Sequence, residues 1–114
     1  MYYRTVEFRR PSYFALAALV EGPLHGFAIV HRAEELSGGE VRLSTGTLYA
    51  LLERAIAEGL IDVGDAYVKN GRQRRDYRLT ETGRDELAAE ARRLSQAART
   101  VTRLLRLKPQ GVSP

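Results

Sequence analysis

Apolar residues recur at helical spacing between Leu43 and Ile61, in the middle of the chain. The positions that would share one face of a helix are Leu48, Leu51, Leu52 and Ile56. Ser44 or Thr45 can cap the start of this helix, because a short hydroxyl accepts a hydrogen bond from an otherwise unpaired backbone N–H. Gly59 offers the left-handed conformation that often ends a helix. The pattern therefore predicts an amphipathic helix with a polar N-terminal end.

Two further helices are predicted before this stretch. Ser12 is a candidate cap for a first helix, which is apolar on nearly every side and should therefore be buried. After a Gly-Pro breaker, a second helix begins at Leu24 or His25 and extends to about Leu36. Its predicted inner stripe consists of Phe27, Ile29, Val30, Ala33 and Leu36. Helix, turn and capped helix in this order are typical of a helix-turn-helix.

The period of the apolar residues changes after Gly59. The runs around Ile61 and Tyr67 alternate as strands do, and the run Asp76 to Leu79 alternates again. An Asn-Gly pair between such runs predicts a β-hairpin. The predicted turn carries several cations and no acid: Lys69, Arg72, Arg74 and Arg75. A hairpin of this kind is a candidate wing, because guanidinium groups can bind phosphates or enter a narrow minor groove.

The last predicted element runs from Thr80, a candidate cap, towards the breaker Pro109. It would be a helix of about 26 residues and therefore roughly 39 Å long. Its apolar positions step by four and three as in a heptad seam: Leu87, Ala91, Leu94, Ala98, Val101 and Leu105. An intramolecular amphipathic helix has the same periodicity, but this one is longer than a small domain can cover. We therefore expect it to pair with the same helix of a second copy, as a dimer interface.

Composition narrows the class of protein. The 114 residues carry a net charge of +4, which is compatible with a polyanionic partner without requiring one. There is no cysteine, hence no disulfide, and no run approaches the roughly 20 apolar residues of a membrane span. We therefore expect a cytoplasmic protein without a membrane partner. Residues 1–11, with Arg4, Arg9 and Arg10, are either a basic arm for a phosphate backbone or a solvated tail.

No constellation suited to catalysis is evident. The only histidines, His25 and His31, are six residues apart, so they do not share a helical face as a two-histidine metal site would require. The chain contains neither an HExxH motif nor a nucleophile elbow. We therefore predict no catalytic residue, no metal site and no cofactor. His25 is interpreted as a polar residue near a helix start that can donate to a phosphate, and His31 as a surface or interface residue.

The polar end of the central helix is the candidate DNA-reading surface. Its residues carry donors and no acid, as the major groove requires: Ser44, Thr45, Thr47 and Tyr49. Taken alone, this group fits local capping and DNA reading equally well. The cations of the hairpin and the long helix favour DNA, because a two-fold dimer would place two such helices about one DNA turn apart, roughly 34 Å.

The same stretches resemble the PadR-type transcriptional regulators over about residues 13–105. The similar segments are Glu21 to Phe27 (EGPLHGF), Leu43 to Tyr49 (LSTGTLY), Glu58 to Ile61 (EGLI) and Arg74 to Gly83 (RRDYRLTETG). The resemblance implies a winged helix-turn-helix domain, a C-terminal dimerisation helix and, in most members, repression of transcription. It places Ser44, Thr45, Thr47 and Tyr49 on the DNA-reading helix and Lys69, Arg72 and Arg74 on the wing. The single terminal helix resembles the shorter branch of the family.

This chain departs from the family pattern at several points. Ala50 stands where proline is common and Ala55 where leucine is usual, so the inner face of the helix should pack differently. Drug-sensing members of the short branch stack flat ligands on a tryptophan near the dimer centre, and this chain has no tryptophan. The small residues Ala91 and Ala98 would either leave a cavity there or let two helices approach closely.

The expected fold class is mainly α with a small β-hairpin. Residues 1–11 would form a basic arm, 12–80 a winged helix-turn-helix domain, 81–108 a dimerisation helix and 109–114 a tail. The expected function is a homodimeric repressor that binds a palindromic double-stranded operator and is released by a small-molecule effector or another signal. The alternative is a winged-helix protein-interaction module without DNA binding, with Glu34, Glu35, Glu53 and Glu58 as its partner surface.

Overall fold

The computed structural model describes residues 8–107 as four helices and five short strands. The elements are α1 (Arg10–Ala17), β1 (Leu24–His25), α2 (Gly26–Leu36), α3 (Thr45–Ala57), β2 (Ile61–Val63), β3 (Tyr67–Lys69), β4 (Arg72–Arg74), β5 (Asp76–Leu79) and α4 (Glu81–Arg106). Residues 1–7 of the predicted arm and the predicted tail at 109–114 lie outside this range. The architecture is mainly α with a small β-hairpin, as expected, and it also contains a small three-stranded antiparallel sheet.

Helix α1 begins before its predicted cap. Arg9 occupies the N-cap position without a capping side-chain bond, and Pro11 lies in the first turn. Proline suits this place because the first backbone N–H groups of a helix have no partner within it. The prediction that Ser12 caps the helix is therefore wrong, and Arg10 and Pro11 belong to the helix rather than to an arm. Leu16 in this helix and Leu19 just after its end are each only 2% exposed, so this part of the chain is buried as expected.

The buried face of α2 is narrower than predicted. Ile29 and Ala33 are fully buried, whereas Phe27 is 61% exposed and Leu36 is 39% exposed. Placing Phe27 and Leu36 in the inner stripe was therefore wrong. Two residues correspond to about 200° of rotation around a helix, so Phe27 faces away from Ile29. Leu36 is the last residue of α2, where the helix runs beyond the core.

Strand β5 is the centre of a three-stranded antiparallel sheet in the order β1-β5-β2. Leu24 of β1 pairs with Tyr77, and Ile61 of β2 pairs with Leu79. The sequence did not predict β1, because two residues are too few to show an alternating pattern. Tyr77, Leu79 and Ile61 are buried in the core together with the inner residues of α1, α2 and α3. The sheet therefore joins the start of α2 to the strand that leads into α4.

Strands β3 and β4 form a separate hairpin, which we call the wing. Asn70 and Gly71 connect them with φ values of 55° and 75°. Positive φ at both central residues is the type I′ geometry that matches strand twist, so the predicted Asn-Gly turn is confirmed. The turn itself is shorter than predicted. Lys69 and Arg72 pair with each other at its base, and Arg74 lies further down β4.

Helix α4 has 26 residues and begins at Glu81, directly after the predicted cap. The hydroxyl of Thr80 accepts a hydrogen bond from the backbone N–H of Gly83 over 2.9 Å. Leu87 is buried in the core, whereas residues 92–107 are exposed apart from the half-buried Thr100. The exposed part of the helix extends roughly 22 Å at 1.5 Å per residue. No helix within residues 8–107 has the length and apolar character needed to cross a membrane.

Candidate nucleic-acid interface

The N-terminal end of α3 presents an exposed row of hydroxyl groups. Ser44 is the N-cap: its Oγ accepts from the backbone N–H of Thr47 over 3.2 Å and donates to the hydroxyl of Thr47 over 3.0 Å. Further along the helix, Leu48 and Leu52 are buried. Ser44, Thr45, Thr47 and Tyr49 are all exposed. The Ser44 hydroxyl thus caps the helix, while all four residues remain exposed. Local capping and DNA reading are therefore compatible interpretations of this group.

Tyr49 connects α3 to the start of α2. Its side chain is 49% exposed, and its hydroxyl lies close to Gly26. A β-carbon on Gly26 would lie only 3.0 Å from that hydroxyl oxygen and 3.3 Å from a methyl carbon of Leu48. Glycine at the first position of α2 thus leaves room for the phenol to lie against the helix start. Tyr49 thus lies between α3, the start of α2 and residues of the wing.

Three of the four predicted cations, Lys69, Arg72 and Arg74, share one face of the hairpin. Lys69 pairs with Arg72, and Tyr67 pairs with Arg74. Because side chains alternate between the two faces of a strand, these four residues lie on one face and Val68 and Gln73 on the other. The hydroxyl of Tyr67 donates to Oδ1 of Asp76 over 2.7 Å, and this hydrogen bond raises the pKa of Tyr67. The bond fixes the base of the wing to β5.

An open cleft of about 310 Å³ lies between α3 and the wing, and we call it the wing cleft. Its lining residues are His25, Gly26, Phe27, Tyr49, Arg72, Gln73, Arg74, Arg75 and Tyr77. The cleft brings together three of the predicted DNA-binding residues: Tyr49, Arg72 and Arg74. The other four, Ser44, Thr45, Thr47 and Lys69, are exposed but do not line it.

Sequence reasoning missed several residues of the wing cleft, above all Phe27 and His25. Phe27 was assigned to the core, although counting 100° per residue from Ile29 would have placed it on the outer face. Its ring stacks on that of His31, with ring centres 6.0 Å apart. From the sequence, His25 was interpreted as a polar residue near a helix start that can donate to a phosphate; its place beside the wing was not predicted. No sequence signal indicated its partner, which lies 49 residues away in the chain.

That partner is Arg74, which turns back from the wing towards β1. Its Nη1 lies 2.9 Å from Nε2 of His25, and the backbone N–H of Ala28 lies 3.4 Å from Nδ1 of the same ring. Burial of the imidazole lowers the pKa of His25, and the nearby Arg74 lowers it further, while Asp76 acts in the opposite direction. A neutral histidine therefore links the start of α2 to the wing.

Two of the four acids of the alternative interaction surface form ion pairs with arginines. Glu34 lies 3.8 Å from the guanidinium of Arg42, and Glu35 lies 3.1 Å from that of Arg32.

Within residues 8–107, no cluster of three or more histidine, aspartate or glutamate side chains is arranged to hold a metal ion.

Sequence comparison assigns the chain to a family. Residues 15–89 match the Transcriptional regulator PadR-like family. The transcriptional regulator Rv3488 of Mycobacterium tuberculosis is 46% identical over 68 residues, which are 60% of this chain and 63% of that protein. An uncharacterized 37.1 kDa protein in transposon TN4556 of Streptomyces fradiae is 41% identical over 81 residues, 71% of this chain and 22% of that protein. The chain thus spans less than two thirds of the length of either relative.

Solved structures share the fold. A PadR family transcription regulator from Clostridium difficile R20291 superposes with a TM-score of 0.71 at 21% identity, covering 85% of this chain and 99% of that one. Bacillus subtilis PadR in complex with operator DNA gives 0.62 at 22% identity, covering 93% of this chain and 53% of that one. These similarities confirm the winged-helix architecture with a long C-terminal helix. With the family match over residues 15–89, they lead to one conclusion: the chain belongs to the PadR-like family of transcriptional regulators, which are not enzymes.

Proposed function

We propose that this protein is a DNA-binding repressor that acts in the cytoplasm as a homodimer on a palindromic operator. The observation that carries the proposal is the wing cleft, which joins Tyr49 of α3 to Arg72 of the wing across one continuous surface. A DNA strand that passes between a reading helix and a wing needs donors on both sides. The structural similarity to Bacillus subtilis PadR, which was solved with operator DNA, supports the same use of the fold.

The two sides of this surface would have different tasks. Lys69 and Arg72 at the end of the wing supply cations that position the protein on phosphates without reading sequence. Thr45, Thr47 and Tyr49 would contact or flank base edges in the major groove. The exposed end of α3 carries no arginine or asparagine that could grip a base through two hydrogen bonds. We therefore propose that DNA shape and half-site spacing supply much of the specificity.

Dimerisation would use the exposed part of α4. Leu94, Val101 and Leu105 are 46%, 54% and 79% exposed on the seam of this helix. A row of large apolar residues on a projecting helix favours pairing with an identical row. Leu87 lies in the core of its own domain, so we propose that the intermolecular seam begins at Ala91. Alanines at 91 and 98 would let the two helices approach closely.

Release from the operator would require a second arrangement of the two protomers. An effector shifts such an equilibrium only if it binds one arrangement more tightly than the other. A small molecule bound between the paired α4 helices and the DNA-binding domains would meet this condition, because it could change the distance between the two α3 helices.

The role of the wing can be tested by fluorescence anisotropy with a labelled inverted repeat from the DNA upstream of the protein's own gene. We expect Arg72→Ala to weaken binding and to reduce the slope of log K against log salt by about 1, as loss of one phosphate contact does. Arg99→Ala is the matched control, because it removes the same charge from an exposed position on α4. Unchanged affinity and unchanged salt slope for Arg72→Ala, or absence of binding by the wild type, would contradict the proposal.

A further inference from the structure

His25 faces more hydrogen-bond donors than it can accept from. Arg74 approaches one ring nitrogen at 2.9 Å, and the backbone N–H of Ala28 approaches the other at 3.4 Å. A neutral imidazole has a single acceptor nitrogen, and a guanidinium can only donate. The shorter contact therefore makes Nε2 the acceptor and places the ring proton on Nδ1. That N–H then faces the N–H of Ala28, so the two hydrogen bonds cannot exist together.

The charges around this pair are mostly positive. Lys69 on β3 and Arg74 on β4 disfavour a charged His25, whereas Asp76 on β5 favours it. One carboxylate oxygen of Asp76 already accepts from Tyr67. On the α2 side, Arg32 is paired with both Glu21 and Glu35. His31 and Arg32 line a second groove, which His25 and Arg74 also line. The other charged or titratable groups lining the wing cleft are Tyr49, Arg72, Arg75 and Tyr77.

We propose that His25 and Arg74 together bind one backbone phosphate of duplex DNA, and that His25 takes up a proton when the phosphate enters. The inference rests on the proposed function, since it requires DNA to occupy the wing cleft. A phosphate oxygen is the acceptor that this group of donors lacks, and it can accept from the guanidinium and from an imidazolium at once. Arg74 would leave Nε2 and turn to the phosphate, while the proton that His25 gains would occupy Nε2.

The position of the pair suits a DNA strand rather than a free anion. His25 and Arg74 line the wing cleft together with Tyr49 and Arg72, which flank it on the α3 side and on the wing side. A strand that contacts both of these residues would pass over the pair. In the free protein, the same pair holds the wing against β1, so binding would exchange a protein contact for two phosphate contacts.

The proposal fixes the sign of a pH effect. Burial and Arg74 lower the pKa of His25 in the free protein. An adjacent phosphate stabilises the charged imidazole and therefore raises this pKa in the complex. Between the two pKa values, binding takes up a proton, so affinity falls as pH rises. The decrease is at most about tenfold per pH unit for one proton. Above the pKa of the complex, His25 is neutral in both states and no longer makes the affinity change with pH.

The test measures operator affinity by anisotropy between about pH 5.5 and 8, the range in which histidine titrates, at constant ionic strength. The wild type is compared with His25→Gln, which keeps hydrogen-bonding groups but cannot titrate, and with His31→Gln as the matched control. Because the chain contains only these two histidines, the two variants show which of them causes the pH dependence of operator affinity. We expect the wild type and His31→Gln to lose affinity as pH rises and His25→Gln to bind almost independently of pH.

Three results would overturn the inference: wild-type affinity that does not change with pH, affinity that rises with pH, or an unchanged pH slope in His25→Gln. Failure of the wild type to bind DNA at any pH would instead overturn the proposed function, and this inference with it. An NMR titration of the imidazole signals in the wild type gives a second readout that needs no variant. The His25 pKa should rise with duplex DNA and stay unchanged with inorganic phosphate; an equal rise with both would show a free-anion site and contradict the proposal.

Discussion

Gly83, in the first turn of α4, lies so close to the backbone carbonyl of Leu60 that no side chain fits between them. Two hydrogen bonds accompany this contact. The backbone N–H of Thr80 donates to the carbonyl of Leu60 over 3.0 Å, and the hydroxyl of Thr80 donates to the carbonyl of Gly59 over 2.7 Å. The start of α4 is thus fixed to the segment that connects α3 to β2. In the proposed dimer, this junction would set the distance between the two α3 helices.

Replacing Gly83 with alanine should destabilise the protein. The added methyl would overlap the carbonyl oxygen of Leu60, which belongs to the backbone and cannot rotate away as a side chain can. We expect the free energy of unfolding to fall by about 2–3 kcal/mol, the upper part of the range for overpacked sites. Thermal unfolding followed by circular dichroism would show a decrease in Tm of roughly 4–8 °C per kcal/mol.

Gly46→Ala is the control for this experiment. Gly46 is also in the first turn of a helix, but a β-carbon there would meet no atom within 4 Å. Alanine should therefore leave stability unchanged or raise it by up to about 1 kcal/mol. Equal Tm values for the two variants would show that the contact between Gly83 and Leu60 is not rigid.

Thr80 should also stabilise the junction. Its hydroxyl donates to the carbonyl of Gly59 and accepts from the N–H of Gly83. Thr80→Ala removes both bonds, and loss of a cap typically costs about 1–2 kcal/mol. Thr80→Ser keeps the hydroxyl and should retain most of the stability. Urea unfolding would measure both variants, and a serine variant as unstable as the alanine variant would show that the methyl group, not the hydroxyl, matters.

The elements that the sequence predicted well are those with strong local signals. Helix α3 combines an apolar stripe with a capping serine, the wing has an Asn-Gly turn, and α4 has a cap followed by an unbroken heptad pattern. Each signal acts over a few residues, so it can be recognised without knowledge of the tertiary structure. The family resemblance covered the starts of α3 and α4 and also the segment Glu21 to Phe27 around the start of α2.

Features that depend on distant residues were missed. Strand β1 forms because it pairs with β5, about fifty residues later in the chain. The two residues of β1 are too few to show a strand pattern. Arg74 was correctly placed on the wing, but its contact with His25 depends on how the wing folds back onto β1. The sequence thus indicated which cations belong to the candidate interface but not which of them is already engaged in the free protein.

Ionisation of Tyr77 should contribute to loss of stability in alkali. Burial raises the pKa of Tyr77 above its ordinary value, and the neighbouring Tyr49 raises it further. The stabilisation is therefore complete below the pKa of the unfolded chain, about 10, and is lost as pH rises through the pKa of the folded protein. Urea unfolding at increasing pH should show this loss in the wild type and a smaller one in Tyr77→Phe. An identical alkaline loss in both proteins would contradict the assignment.

The exposed seam of α4 should hold the dimer together. Leu94 is 46% exposed on this seam, and a second copy of the helix would bury it against its own counterpart. Leu94→Glu would place two carboxylates in that apolar contact, and burying unpaired charges is costly. We therefore expect light scattering to show monomers, which bind a single half-site but no longer bind the palindrome tightly.

Gln96→Glu is the matched control for the dimer, because it adds the same charge at an exposed position two residues away, on a different side of the helix. It should remain dimeric and bind the palindrome as the wild type does. Circular dichroism would establish that both variants keep their helices, so that loss of the dimer is not confused with unfolding. If the Leu94→Glu variant stays dimeric, the seam through Ala91, Leu94, Ala98, Val101 and Leu105 is misplaced. A monomeric Leu94→Glu variant that binds the palindrome as tightly as the wild type would instead show that one domain suffices for operator recognition.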